Sequence, residues 1–391
     1  MRSVELFAGA GGLAIGMSNA GFHHAAVIEW DHDSCETFRE NQRDDFQFVE
    51  KWPLFEGDVR EYDYSQLKDV VVVSGGPPCQ PFSMGGKHRG YMDTRDMFPQ
   101  AVRAVRELNP KAFIFENVKG LLRETFSDYF EYIQLQLMHP SFTRRKSESW
   151  KEHRIRLEKR HTSMRDRTEY NVVFRLLNAA NYGVPQRRER VFLVGFRSDL
   201  GIEWSFPETT HSEDKLLYSQ WVTGEYWDRH KIANCQRPQL DIRQAIRVER
   251  LRRNSLLDSD KLSWLTVRDA IGNLPDPEKN LRNCVSNHIF NPGARTYTGH
   301  TGSPIDEPAK TLKAGDHGVP GGENMLARVD GSVRYFTVRE AARLQTFPDN
   351  YLFRGAWTEA MRQLGNAVPV RLAETVARSV AITLLRAEKR N

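Results

Sequence analysis

The residue best suited to covalent chemistry is Cys79. It stands in Gly75-Gly76-Pro77-Pro78-Cys79-Gln80-Pro81-Phe82-Ser83, directly after the apolar run 70–73. A lone cysteine is ordinarily a small buried hydrophobe. One fixed between prolines and glycines at the end of a strand is unlike that, because packing gains nothing from such a loop, whereas a nucleophile gains a set position. Glu116 ends the next apolar run, 112–115, and its carboxyl suits an acid or hydrogen-bond donor near the thiol. Arg187, Arg188 and Arg190 in Gln186-Arg187-Arg188-Glu189-Arg190 precede a further apolar run; they suit either structural carboxylate pairing or a bidentate grip on phosphate or a base carbonyl.

A second constellation has the character of a cofactor site. A short strand runs into Ala8-Gly9-Ala10-Gly11-Gly12, where glycines admit a close ligand, and a helical pattern follows to about Ala20. Alanine at position 14 departs from the strict dinucleotide fingerprint. Glu29 ends the next strand, about 20 residues on, where a carboxylate can take ribose hydroxyls, and Trp30 beside it can stack on a base. Asp58 follows the third strand. Gln363-Leu364-Gly365-Asn366-Ala367-Val368-Pro369 precedes the last helix, either as an ordinary helix start or as a binding edge.

The elements that must carry these residues alternate. Strands are expected at 4–7, 24–29, 46–49, 70–73, 112–115, 170–177 and 190–196, separated by helical stretches, which predicts a doubly wound, mostly parallel α/β sheet over residues 1–196. From 197 to 336 periodicity weakens and Trp, Pro, Asn and Gly become frequent, as expected of a smaller, loop-rich domain. An amphipathic helix is expected near 241–257 with Ile242, Ile246 and Leu251 on one side. Residues 337–391 return to helix, with Leu372, Val376, Val380 and Leu384 spaced by four.

The 391 residues, 39 % hydrophobic and 27 % charged, exclude a wholly disordered or collagen-like chain. No apolar run approaches the roughly 18 residues of a membrane span, and a cytoplasmic protein without a signal peptide is expected. Cys35, Cys79, Cys235 and Cys284 show no zinc or redox spacing, so four free thiols and no metal site are expected. The net charge of +5 is concentrated: residues 144–167, within a basic insert at about 140–167, hold ten Lys and Arg against four Asp and Glu. That suits a phosphate backbone or, equally, a solvated helix laced with opposite charges.

Taken together the motifs resemble the DNA (cytosine-5) methyltransferase family of bacterial restriction–modification systems. The matching pieces are residues 7–13 (FAGAGGL), 75–83, 116–118 (ENV), 186–190, 339–349 (REAARLQTFPD) and 364–369 (LGNAVP), in the family's order and across nearly the whole chain. The resemblance implies the S-adenosylmethionine-dependent methyltransferase fold, with residues 197–336 as the target-recognition domain. It makes Cys79 the nucleophile that adds to cytosine C6, Glu116 the carboxyl that engages N3, and Arg188 and Arg190 the arginines near the flipped base and its phosphates, with Ser83 at the DNA backbone. S-adenosylmethionine is expected against Phe7, Gly9, Gly11, Leu13, Glu29, Trp30, Asp58, Val59, Pro78, Asn366 and Val368. Double-stranded DNA is the expected partner of a monomer, with the stretches 241–253 and 313–324 touching it. A tRNA cytosine-5 methyltransferase shares the catalytic set, but residues 197–335 are long for that branch and its Cys-Phe-Thr motif is missing. A silent DNA-binding homologue would have no use for Cys79 and Glu116, nor would a nicotinamide oxidoreductase for the proline-caged thiol.

Overall fold

The computed structural model describes residues 1–44, 46, 49–78, 96–163, 168–253, 260–279, 285–315 and 324–389. Cys79, Ser83 and Cys284 lie outside them; of the other cysteines, Cys35 is buried, Cys235 is exposed, and both are free thiols. The described residues form two compact units. The first comprises 1–177, 189–207 and 373–391, and the second 178–188 and 208–372. The second unit therefore takes in 178–188 and 337–372 besides most of the 197–336 segment expected from sequence.

The first unit is built on a seven-stranded sheet: β1 (Arg2–Leu6), β2 (His23–Glu29), β3 (Leu54–Glu56), β4 (Val72–Gly75), β5 (Ala112–Val118), β6 (Tyr170–Asn178) and β7 (Glu189–Arg197). Their order is β3-β2-β1-β4-β5-β7-β6. β1 to β5 run parallel, whereas β7 runs antiparallel to β5. The expected third strand at 46–49 is displaced: Val49 opens a short 3₁₀ turn and the strand is Leu54–Glu56. Central strands β4 and β5 are buried along almost their whole length, which is why their sequences read as unbroken apolar runs. β6 lies at the sheet's edge, with Val173 and Phe174 exposed.

Helices α1 (Gly12–Asn19), α2 (His32–Arg43), α3 (Phe98–Leu108), α4 (Ser127–Met138) and α5 (Trp150–Thr162) connect or flank these strands. α5 occupies the basic insert. Ser149 and Glu152 form its capping box, and Trp150, His153 and Leu157 are buried. Arg154 bonds Glu131 of α4 and Glu158 at 2.8 and 2.7 Å, and Arg156 bonds Glu148 while its guanidinium lies over the Phe142 ring. Arg156 pulls the Glu148 carboxyl down to about 2. These two arginines hold the insert together, as the laced-helix reading expects.

The second unit carries helices α6 (Glu213–Trp221), α7 (Glu225–Arg229), α8 (Ile242–Arg253), α9 (Val267–Ile271), α10 (Val338–Leu344) and α11 (Trp357–Asn366), with a two-stranded and a three-stranded sheet. Tyr226, Trp227, Trp264 and Leu216 form one of its cores. α8 departs from its expected facing. Val248 and Leu251 pack against Leu217, whereas Ile242 and Ile246 are 80 % and 68 % exposed. Leu251 is nine residues, two and a half turns, beyond Ile242, so the two belong to opposite faces. The last helix, α12 (Val370–Glu388), buries Leu372, Val376, Val380 and Leu384 as the spacing predicts. Among the described residues no helix is long and apolar enough to cross a membrane.

One buried acid lies at the centre of the first unit's sheet. Glu5 of β1 is opposite Ser74 of β4 and accepts that hydroxyl's hydrogen bond. Burial pushes its carboxyl up to about 8. From pH 4.5 to about 8 the folded chain keeps a proton that the unfolded chain has released. The stability tied to that proton is therefore full below pH 4.5 and is lost as pH rises toward 8. Glu5→Gln should flatten this slope, raising the unfolding midpoint in urea more at pH 8 than at pH 5; an equal change at both values would contradict the assignment.

Candidate functional site

The strand order turns back between β1 and β4, and the carboxyl ends of parallel strands beside such a reversal form a natural crevice. The first unit brings its functional residues to this edge. Phe7 leaves β1 with φ of +55°, a left-handed conformation that a bulky residue rarely takes, and Gly9 and Gly11 follow at +52° and +86°. Gly11 caps α1 without a side chain, so the first backbone amides of the helix carry no side-chain acceptor. A β-carbon at Gly9 would meet nothing within 4 Å, so the loop is open on that side. Leu13 is buried beneath it.

Glu29 is locked to the loop. Its Oε2 accepts from the Gly9 amide at 2.7 Å, and its Oε1 from the Trp30 and Asp31 amides at 2.9 and 2.8 Å. Burial pushes the carboxyl up while the three N–H donors pull it down. Oε2 keeps a second lone pair for an incoming hydroxyl. The neighbouring Trp30 is 74 % exposed, an indole face with nothing packed over most of it. An anchored carboxylate beside an exposed indole and an open glycine loop suits a nucleoside-bearing cofactor. Asp58 instead serves its own turn: it accepts from the Arg60 amide at 2.9 Å and pairs with that guanidinium, which holds its carboxyl below the usual range. Val59 is buried beside it.

The chemistry-bearing residues gather at β4, β5 and β7. Because β7 is antiparallel, its amino end meets the carboxyl end of β5, with Val118 opposite Arg190 and Glu116 opposite Phe192. Glu116 and Arg190 are thus diagonal neighbours on one face. Arg190 Nε donates to Glu116 Oε1 at 2.7 Å, and both side chains are about nine-tenths buried. Burial alone pulls the Arg190 guanidinium down; Glu116 holds it up. The lead-in to Cys79 lies against the same carboxyl, since a β-carbon on Gly76 would stand 3.3 Å from Glu116 Oε2. Asn117 Nδ2 donates to the Pro77 carbonyl at 2.9 Å, and the Pro78 carbonyl accepts from the Met97 amide at 3.2 Å. Sequence reasoning missed Asn117 as the tether of this loop; its position directly after Glu116 at a strand end was the available signal.

Arg188 is placed otherwise than the resemblance implies. It belongs to the second unit, is fully buried, and donates to the carbonyls of Leu312, Gly365 and Ala367 at 2.9, 2.7 and 2.8 Å. Three backbone acceptors hold its guanidinium, so the expected contact with a flipped base or phosphate is not the role seen here. Asn366 is exposed and Val368 buried in that same turn of the second unit.

Comparison with known proteins gives the class first. The fold is that of methyltransferases: the Schizosaccharomyces pombe Dnmt2 methyltransferase superposes with a TM-score of 0.56 at 14 % identity, covering 99 % of this chain and 98 % of the other. The Entamoeba histolytica methyltransferase EhMeth gives 0.54 at 12 % identity, covering 98 % of each. The family model for C-5 cytosine-specific DNA methylases matches residues 1–140 and 151–381, and the chain belongs to that family. Among curated relatives, Type II methyltransferase M.Eco47II of Escherichia coli is 31 % identical over 99 % of this chain and 80 % of its own length. Type II methyltransferase M.NgoMIV of Neisseria gonorrhoeae is 30 % identical over 97 % of this chain and 96 % of its own length.

Removing one partner of a buried ion pair strands the other charge at a cost of about 3–5 kcal/mol. Arg190→Ala should lower stability by an amount in that range in urea unfolding. The double variant with Glu116→Gln should recover most of the loss. No recovery would mean the pair is not what holds this edge together.

Proposed function

We propose that the protein methylates C5 of a cytosine turned out of duplex DNA at a specific sequence, with Cys79 as nucleophile and S-adenosylmethionine as methyl donor. The observation that carries this reading is the buried Glu116–Arg190 pair set against Gly76 and the Asn117-tethered approach to Cys79. The family match and the Type II relatives support it, and they also support a role in protecting host DNA from a partner endonuclease.

Cytosine C5 is a weak nucleophile on its own. Addition of the Cys79 thiolate to C6 forms an S–C6 bond and makes C5 enamine-like. Glu116, hydrogen-bonded at or donating a proton to N3, stabilises the charge that develops in the ring. Arg190 keeps that carboxyl in place. Once C5 carries the methyl group, loss of the C5 proton and breakage of the S–C6 bond restore the aromatic ring and free the thiolate. S-adenosylmethionine, when bound, supplies an electrophilic methyl group; Phe7, Gly9, Gly11, Leu13, Glu29, Trp30 and Pro78 of the first unit and Asn366 and Val368 of the second would hold it. Asp58 and Val59 shape the neighbouring turn, and Ser83 is assigned to the DNA backbone. A base inside the duplex cannot reach a thiol in such a loop, so the target leaves the stack.

Incubating the protein and S-adenosylmethionine with a random duplex library, then sequencing after bisulfite treatment, should reveal protected cytosines within one short motif. Methyl incorporation into tRNA and not DNA would reverse the substrate assignment. Cys79→Ser should lose methyl transfer by at least about 10³-fold while still binding duplex. A duplex carrying 5-fluorocytosine should become covalently attached at Cys79, and full turnover of the serine variant would refute the nucleophile.

A further inference from the structure

Arg188 holds together two segments of the second unit that the sequence assigns to different ligands. One is the 365–367 turn, which carries the cofactor-assigned Asn366. The other is residues 312–314, the described beginning of the stretch 313–324 assigned to DNA. The two also touch directly. A β-carbon on Gly365 would fall 2.2 Å from the Ala314 amide nitrogen and 2.4 Å from the Lys313 carbonyl carbon, so backbone lies on backbone there. The far end of the stretch is closed by Asn324, fully buried, which accepts from the Lys313 amide at 3.0 Å and donates to the Lys313 carbonyl at 2.9 Å. Gln186 adds a third tie, accepting from the Leu312 amide at 3.1 Å. The base of the stretch is therefore fixed to the turn by a guanidinium, two amides and a glycine contact, all out of solvent.

We propose that Arg188 is a positioning residue that couples the two ligands: it makes the base of the 313–324 stretch and the 365–367 turn one body, so that ordering either by its ligand favours the other. The proposal rests on the function proposed above. A planar fork serving three carbonyls is the feature a lysine cannot reproduce, and such coupling must be reciprocal between the two ligands.

The test measures binding of S-adenosylhomocysteine, a non-reacting probe, to the full-length protein with and without saturating duplex carrying the motif found by bisulfite sequencing. In the unaltered protein the duplex should tighten the probe about tenfold or more. Arg188→Lys should reduce that ratio below about twofold, while each ligand's separate affinity changes by less than about threefold. Gly365→Ala, which forces the same junction apart without altering charge, should do likewise. Arg187→Lys, whose side chain pairs with Glu213 and Glu307 away from the junction, should keep the full ratio. The coupling role is overturned if the unaltered protein binds both ligands independently, or if both junction variants keep the tenfold ratio. It is also overturned if both lose the two affinities in parallel with a fall in melting temperature, which marks a purely structural residue. Absence of binding by the unaltered protein to either ligand would instead overturn the proposed function.

Discussion

A single reversal of strand direction governs the reactive edge of this molecule. Were β7 parallel to β5, Arg190 would enter the sheet at the edge remote from Glu116. Running antiparallel, it delivers the guanidinium to the carboxyl end of β5, two residues across the ladder from the acid. A carboxylate and a guanidinium at this depth are tolerable only as a pair, because each alone would bear a desolvation cost of several kcal/mol. The pair in turn fixes the wall against which Gly76 and the loop toward Cys79 are laid. Topology, electrostatics and the placement of the nucleophile's approach are thus one constraint.

The cofactor side follows from a different economy of hydrogen bonds. Glu29 uses backbone amides from two sources, the glycine loop of the preceding crossover and its own strand end, to hold one rotamer. The loop itself depends on positive φ at Phe7, Gly9 and Gly11. Glycine supplies that conformation freely; Phe7 does not, and a bulky residue held there marks a place where the surroundings dictate the backbone. The second unit repeats the pattern with other side chains, since Arg188, Gln186, Gln345 and Asn324 all bond backbone rather than one another.

Much of this was legible in the sequence, for stated reasons. Buried central strands announce themselves as apolar runs between glycines and prolines, so β4, β5 and β7 were found with small errors at their ends, and the four-residue spacing in α12 survived intact. The short strand β3 carries only three residues and no such run, and it was placed too early. The reversal of β7 left no local trace, because an antiparallel strand buried on both faces reads like a parallel one. In α8 the spacing of Ile242 and Leu251 was taken for one face although nine residues of helix separate opposite faces. Within the site, Glu116 and Glu29 were identifiable from their places at strand ends. Arg188 and Asp58 were not readable in this way: a residue's type shows what it can bond, and its partners here, three carbonyls and a neighbouring arginine, come from local folding and long-range closure.

The two units are interleaved along the chain, and this shapes how the molecule must be made. The first unit is assembled from three separate stretches, and its final stretch, from Ala373 onward, includes most of α12, whose Trp204–Ser379 and Lys111–Glu388 bonds reach back to residues synthesised far earlier. A nascent chain emerging from the ribosome therefore has the whole central sheet before it has the helix that completes that unit, and the 165-residue excursion of 208–372 intervenes. Neither unit is a contiguous cassette that recombination could lift out at a single pair of breakpoints. Inheritance of a new second unit must replace an internal segment and leave the terminal helix behind.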